Sequence, residues 1–140
     1  MPIHLQSFFY RRTVKPVYSI ARWQPGFCKY PVIEPFVPVH QGRAIRHYPP
    51  DKYLTLYAEA VKSRLGEVEN AINNLKRLKD ATLCCWCNQQ RQKKYEKLFC
   101  HTILVGFLLE HHGIPVVYRD GRENPIWDIE DRKRFLSLIY

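Results

Sequence analysis

Cysteine side chains crowd into one short stretch of this sequence. Cys84, Cys85 and Cys87 fall within four positions, and Cys100 follows with His101 beside it. Grouped thiols bind metal ions, attack electrophiles or exchange electrons, and they also occur as small apolar groups in a core. The chain has five cysteines, an odd number that does not suit a disulfide framework and is typical of a reducing compartment. We therefore expect a cytoplasmic protein whose chemistry, if it has any, lies at this cluster.

A cysteine-dependent enzyme is one interpretation of the cluster. Cys100 or Cys87 would be the nucleophile and His101 its base, because a helix N-terminus and a neighbouring imidazole both favour a thiolate. A nucleoside or a phosphorylated small molecule would be the substrate. The competing interpretation is that the thiols, above all Cys84 and Cys85, are buried apolar groups.

A metal site is another interpretation of the same residues. Cys84 and Cys87 form a Cys-x-x-Cys pair, and Cys100 with His101 adds a second pair. Four such ligands would suit tetrahedral zinc, so zinc is the cofactor that the sequence suggests. Alternate residues of a strand point to opposite faces, however, and neighbouring residues of a helix diverge, which counts against this set.

A second group of residues could bind an anion. With 22 lysines and arginines against 13 acidic residues, the formal net charge is +9, which favours nucleic acid or a phosphorylated small molecule as partner. An arginine fork matches a phosphate, and an indole ring offers a stacking surface to a base. The candidate anion- and base-binding residues are Arg22, Trp23, Arg43, Arg46, Arg91 and Lys94. For each arginine and lysine, a solvated surface position is the alternative.

Hydrophobic patterning predicts the elements that position these residues. The chain has 140 residues, of which 46% are hydrophobic, enough for one core in one domain. The predicted strands are residues 16–21, 81–86 and 114–118. The predicted helices are residues 51–65, 67–79, 100–112 and 128–138, the last with a strand as its alternative.

The regions between and around these elements complete the predicted domain of residues 1–140. Prolines between residues 25 and 50 predict a long ordered loop without regular strand pairing. We expect residues 1–13 to be an N-terminal extension, residues 14–118 the core, and residues 119–140 a C-terminal segment.

The order strand, helix, strand over residues 81–118 predicts a right-handed crossover between parallel strands. Ligands bind beyond the carboxyl ends of such strands. Arg22 and Trp23 follow the first predicted strand, the clustered cysteines end the second, and Cys100 with His101 opens the crossover helix, so we expect them at one edge. The predicted fold is therefore α/β, a single three-layer domain with a small, mostly parallel sheet, flanking helices and a long proline-rich loop.

The predicted cysteine-rich strand has the sequence Thr82-Leu83-Cys84-Cys85-Trp86-Cys87, and the helix after it begins within Phe99-Cys100-His101-Thr102. These two segments resemble the signature of an uncharacterised domain family catalogued as number 488. That signature is a buried strand ending in a leucine-cysteine pair, a variable loop, and a Cys-His dipeptide that opens a helix. The resemblance covers most of residues 14–113. It implies a fold similar to three-layer α/β nucleotide-binding domains, and it implies no particular activity.

These observations together favour a domain that binds a nucleotide or nucleic acid at the carboxyl edge of its sheet. The alternatives are the cysteine-dependent enzyme and a zinc-binding or non-enzymatic interaction protein, such as one encoded by a virus or a mobile element. No apolar run reaches the roughly 20 residues that span a bilayer, so we expect no membrane partner. An oligomer is compatible with the sequence.

Overall fold

The computed structural model describes residues 2–45, 48–87 and 97–140, and this part of the chain contains six strands and four α-helices. The strands are β1 (Ile3–Ser7), β2 (Val17–Ser19), β3 (Val39–His40), β4 (Arg43–Ala44), β5 (Ala81–Cys85) and β6 (Val116–Tyr118). The helices are α1 (Pro50–Ser63), α2 (Leu65–Lys76), α3 (His101–His111) and α4 (Ile129–Ile139). None of the helices in the described ranges is long and apolar enough to span a bilayer.

A four-stranded sheet forms the centre of the domain. Its strand order is β2, β5, β1, β6, and each neighbouring pair runs parallel. This confirms the predicted α/β fold, with a mostly parallel sheet and flanking helices. Because all four strands run the same way, their carboxyl ends meet at one edge of the sheet. The last strand residues at that edge are Ser7, Ser19, Cys85 and Tyr118.

The first strand corrects the expectation that residues 1–13 lie outside the core. Every residue of β1 is buried, and the strand pairs with β5 on one side and β6 on the other. Its apolar and polar residues alternate, which is typical of a strand with one solvated face. Here the polar face is buried as well, because the Nε2 of Gln6 donates to the carbonyl oxygen of Arg12 at 2.8 Å. The chain that follows β1 thus accepts a hydrogen bond from one polar side chain of this face.

The predicted crossover helix is α3, which packs against the opposite face of the sheet. Residues 101–109 are all buried, as expected for a helix in the interior of a domain. Gly106 allows the ring of Tyr118 on β6 to approach the helix, since an added Cβ would lie 2.5 Å from the Tyr118 hydroxyl oxygen. Gly113, with a φ of 80°, follows the helix in the left-handed conformation that commonly ends helices. α1 and α4 pack against α3 and against each other.

The described part of the proline-rich segment contains a short hairpin, which departs from the expectation of no strand pairing. β3 and β4 pair antiparallel around Gln41 and Gly42, whose φ angles are 53° and 75°. Positive φ at both turn residues suits a two-residue hairpin. The Tyr57 hydroxyl of α1 donates to the carbonyl oxygen of Phe36 at 2.7 Å, so the segment is fixed to this helix.

Candidate functional site

A cavity opens at the carboxyl edge of the sheet, where the sequence predicts the site. Its volume is about 310 Å³, and it is bounded by the chain after β2, the chain after β5 and the start of α3. Five residues singled out from the sequence line it together: Arg22, Trp23, Cys87, Cys100 and His101. Its other wall residues are mostly apolar or aromatic: Ala21, Pro38, Ala44, Ile45, Tyr53, Trp86 and Phe99. We name this cavity the aromatic chamber.

A second concavity adjoins the aromatic chamber and has a polar lining. Its volume is about 610 Å³, and its lining residues are Arg22, Gly42, Arg43, Ala44 and Tyr48. Arg22 and Ala44 line both spaces, so the β3–β4 hairpin contributes to both walls. We name this second space the basic groove.

Arg22 lies where the two spaces meet, and Trp23 follows it in the wall of the aromatic chamber. The guanidinium carbon of Arg22 is 5.7 Å from the centre of the Trp23 ring, within the range of a cation–π contact. The indole is 69% exposed and therefore offers a surface on which a planar group can stack. Arg43 is exposed in the basic groove. The other three predicted anion-binding residues, Arg46, Arg91 and Lys94, lie outside the described residues.

The two adjacent cysteines of β5 face opposite sides of the sheet, because side chains alternate along a strand. Cys85 lies on the α3 side, with its Sγ 3.3 Å from the Sγ of Cys100. Cys84 lies near Cys28 instead. This corrects the predicted metal-ligand set, since Cys84 is turned away from Cys87, Cys100 and His101.

Three other sulfur atoms lie close enough together to hold one metal ion. The Sγ atoms of Cys85, Cys87 and Cys100 are all within 4.8 Å of one another. His101 is not part of this group, although the sequence predicted it as a ligand. Its Nε2 lies 2.7 Å from the carbonyl oxygen of Ile20, and its Nδ1 lies beside one of the three sulfur atoms, that of Cys100, at 3.6 Å.

A buried arginine that was not predicted from the sequence lies against the sulfur cluster. The side chain of Arg122 is fully buried, and its Nη2 donates to Cys85 Sγ and to the carbonyl oxygen of Cys87, both at 2.6 Å. Its Nε donates to Thr102 Oγ1 at 2.7 Å, and its Nη1 lies 3.5 Å from a carboxylate oxygen of Asp120. A buried cation needs hydrogen bonds and negative charge nearby. Arg122 therefore favours negative charge on the thiol cluster.

That negative charge belongs on Cys100. Burial alone would raise the pKa of this thiol, but hydrogen bonds with Cys85 and Cys87 and the nearby His101 ring outweigh burial and hold the pKa well below its usual range. Burial, together with the hydrogen bond to Cys100, raises the pKa of Cys85 to about 12. The hydrogen bond to Cys100 is the main cause that raises the pKa of Cys87. The directions of these shifts favour Cys100, rather than Cys85 or Cys87, as the sulfur that carries negative charge.

His101 is oriented as a base for Cys100. The Ile20 carbonyl oxygen can only accept a hydrogen bond, so the Nε2 of His101 carries a proton. In the neutral ring the lone pair is then on Nδ1, which lies 3.6 Å from Cys100 Sγ. This arrangement can accept the thiol proton and hold an imidazolium beside the thiolate.

The sequence did carry a partial signal for Arg122. This arginine comes only four residues after Tyr118, the end of a predicted strand, so its nearness to the predicted edge was foreseeable. Its burial was not, because the groups that stabilise the guanidinium come from β5, α3 and the preceding turn. Cys85 was interpreted as an apolar group because its polar neighbours are distant in sequence.

Comparisons with known proteins assign no family to this site. No protein-family model matches the chain, and searches of curated proteins and of solved structures found no match. The resemblance to domain family 488 stays a prediction, and the function has to be inferred from the geometry of the site.

Proposed function

We propose that the aromatic chamber and the basic groove together bind a nucleoside phosphate, either free or within a single-stranded nucleic acid. One observation carries the proposal: an aromatic-lined cavity and an arginine-lined groove adjoin at Arg22. A nucleotide has the same division between a planar base and an anionic phosphate. The chamber, at about 310 Å³, falls at the lower end of the sizes of ligand pockets, roughly 300–1,000 Å³.

The chamber would take the base. Trp23 offers its exposed indole, and the rings of Tyr53 and Phe99 meet edge to face with their centres 5.7 Å apart in the wall. The indole N–H of Trp86 donates to the carbonyl oxygen of Trp23, which links the chain after β5 to the chain after β2. Stacking of a base on an aromatic side chain contributes about 1–3 kcal/mol.

The groove would take the phosphate. Arg22 and Arg43 both line it, and a guanidinium can donate two parallel hydrogen bonds to phosphate oxygens. The net charge of +9 adds a long-range attraction for anions. Because both arginines are exposed, salt should weaken binding.

The test is an equilibrium titration, followed by tryptophan fluorescence, with nucleoside mono-, di- and triphosphates and with short single-stranded oligonucleotides. We expect saturable binding at low salt that weakens as salt rises. Competition between a free nucleotide and an oligonucleotide identifies which of these two ligands the site prefers. If none of these ligands binds at low salt, the proposal is wrong.

Two variants that each remove one positive charge test which residue contacts the phosphate. Arg43→Gln should weaken binding about tenfold, because one charge-assisted contact is lost. Arg77→Gln removes the same charge from the exposed end of α2 and should leave affinity unchanged at moderate salt. Equal losses in both variants would indicate attraction by net charge alone.

A cysteine-dependent reaction on the bound ligand is a second candidate function, favoured by the orientation of His101 toward Cys100 in the chamber wall. The Cys100 thiolate would attack an electrophilic atom of the nucleoside or phosphorylated ligand, and the His101 imidazolium would protonate the leaving group. Intact-protein mass spectrometry after incubation with ligand tests this. An adduct should form with wild type and Cys84→Ser and be absent from Cys100→Ser.

Zinc is a third candidate, favoured by the three clustered sulfur atoms. Three protein ligands with a fourth position open are typical of catalytic zinc sites. The charges of three thiolates, one Zn²⁺ ion and the Arg122 guanidinium would also sum to zero. Elemental analysis of the untagged protein should then find stoichiometric zinc in wild type and Cys84→Ser, and none in Cys85→Ser. Metal-free wild type that takes up no added zinc would contradict this candidate.

A further inference from the structure

We propose that Cys100 and Cys85 form a redox-active pair, in which Cys100 reduces a small hydroperoxide in the aromatic chamber and Cys85 then forms a disulfide with it. This activity goes beyond nucleotide binding and does not depend on it. The proposal stands on two observations. The two Sγ atoms are 3.3 Å apart, and Cys100 lines the chamber whereas Cys85 lies behind it against Arg122.

The positions of the two sulfur atoms assign their roles. Cys100 lines the chamber and Cys85 does not, so a small oxidant in the chamber reaches Cys100 before Cys85. Cys100 precedes α3 with an extended backbone, φ −164° and ψ 150°, and is therefore outside the regular helix. A disulfide requires the sulfur atoms to approach to about 2.05 Å. The two Sγ atoms, now 3.3 Å apart, therefore have to move closer by about 1.25 Å.

The reaction has two balanced steps. The Cys100 sulfur, its proton held by His101, attacks one oxygen of the hydroperoxide, and the O–O bond breaks. The other oxygen takes that proton and leaves as an alcohol, or as water when the oxidant is hydrogen peroxide. Cys100 is then a sulfenic acid. The Cys85 sulfur attacks the Cys100 sulfur, the S–O bond breaks, and the hydroxide leaves as water with the Cys85 proton. Two electrons pass from the two thiols to the hydroperoxide, and a small dithiol can return the pair to the reduced form.

Arg122 assists the second step as a positioning residue. Its Nη2 donates to Cys85 Sγ at 2.6 Å and keeps this sulfur beside Cys100. The guanidinium also stabilises the negative charge that develops on Cys85 as it loses its proton. Cys87 is the competing partner, since its Sγ lies within 4.8 Å of both other sulfur atoms.

The test maps the disulfide in the full chain. Reduced protein, treated with a chelator and desalted, is mixed with one equivalent of hydrogen peroxide, and the remaining thiols are alkylated under denaturing conditions. Trypsin releases the three clustered cysteines on residues 80–91 and Cys100 on residues 98–119, so their disulfide gives one cross-linked mass. Fragmentation of that peptide should identify Cys85 as the partner of Cys100.

Two variants separate the pair from its neighbours. Cys84→Ser is the matched control, and it should form the same cross-link at the same rate. Cys85→Ser should lose the cross-link and accumulate a sulfenic acid at Cys100 that dimedone traps. In wild type we expect Cys100 to be oxidised at least about tenfold faster than Cys28. A cross-link to Cys84 or Cys87, or equal oxidation rates at Cys100 and Cys28, would overturn the proposal.

Discussion

Cys84 and Cys85 are neighbours in the sequence, and burial raises the pKa of both thiols to about 12, yet they lie in different surroundings. Cys84 is near Cys28, whose pKa burial also raises. Cys85 contacts the cation of Arg122 and the sulfur of Cys100. Burial alone therefore does not make a cysteine part of a site. The neighbours brought by distant parts of the chain make the difference.

The two faces of β5 should accordingly respond differently to substitution. On the Cys85 face, a guanidinium, a thiolate and two protonated thiols depend on one another, so removal of one member leaves the others without partners. On the Cys84 face, a thiol can be replaced by a group of similar size with little further effect.

The largest expected effect comes from Arg122. Arg122→Leu leaves the Thr102 hydroxyl, the Cys87 carbonyl oxygen and the Cys85 sulfur without their cationic partner, and it removes the positive charge near the Cys100 thiolate. We therefore expect the free energy of unfolding at pH 8 to fall by about 2–4 kcal/mol. Urea denaturation measures this. Arg119→Leu, in the same turn, is the control and should cost less than about 1 kcal/mol because this side chain is only half-buried. Equal losses would mean that the cluster does not depend on Arg122.

The loss in Arg122→Leu should also depend on pH. The pKa of Cys100 is depressed in the folded protein, so the thiolate contributes stability that is full above the ordinary thiol pKa and disappears as pH falls through the folded value. The difference between wild type and Arg122→Leu should therefore shrink as pH is lowered. A difference that grows toward acidic pH would contradict the assignment of the charge to Cys100.

A smaller effect is expected in the rates of alkylation. At pH 7, iodoacetamide should modify Cys100 at least about 100-fold faster than Cys84, because a thiol with a pKa near 12 is almost wholly protonated. Peptide mass spectrometry of timed samples measures both rates in one protein. Similar rates at the two cysteines would remove the distinction between the two faces.

The smallest expected effect is the coupling between Arg122 and each cysteine. A double-mutant cycle of Cys85→Ala with Arg122→Leu should give a coupling of about 1–2 kcal/mol, since these side chains share a hydrogen bond. The cycle of Cys84→Ala with Arg122→Leu should give less than about 0.5 kcal/mol. Equal couplings would show that the two faces are not energetically separate.

The elements with strong periodicity were predictable, and those with buried polar groups were not. The apolar runs of β5 and α3 and the helical spacing in α1 identified these elements, and their order predicted the edge that holds Arg22, Cys100 and His101. The strand β1 was not predicted, because a polar residue such as Gln6 indicates a solvated position. Its burial depends on a hydrogen bond to Arg12 that periodicity cannot show.

The same limit applies to the candidate site. Arg22, Trp23, Cys87, Cys100 and His101 were predicted because each lies beside the end of a predicted strand or the start of a helix. Cys85, and not the predicted Cys84, belongs to the group of possible metal ligands. Successive side chains of a strand point to opposite faces of the sheet, so an error of one residue assigns a side chain to the wrong face. The burial of Arg122 required the three-dimensional arrangement of three separate segments.

Ligand protection of Cys100 tests the central proposal most directly, because this cysteine lies in the wall of the chamber in which a base would bind. The alkylation rates of Cys100 and Cys28 are measured at low salt with increasing concentrations of each nucleotide and oligonucleotide. At least one of these ligands should slow the alkylation of Cys100 saturably and leave Cys28 unchanged. If none slows Cys100, or if both cysteines slow together, the chamber is not a nucleotide site.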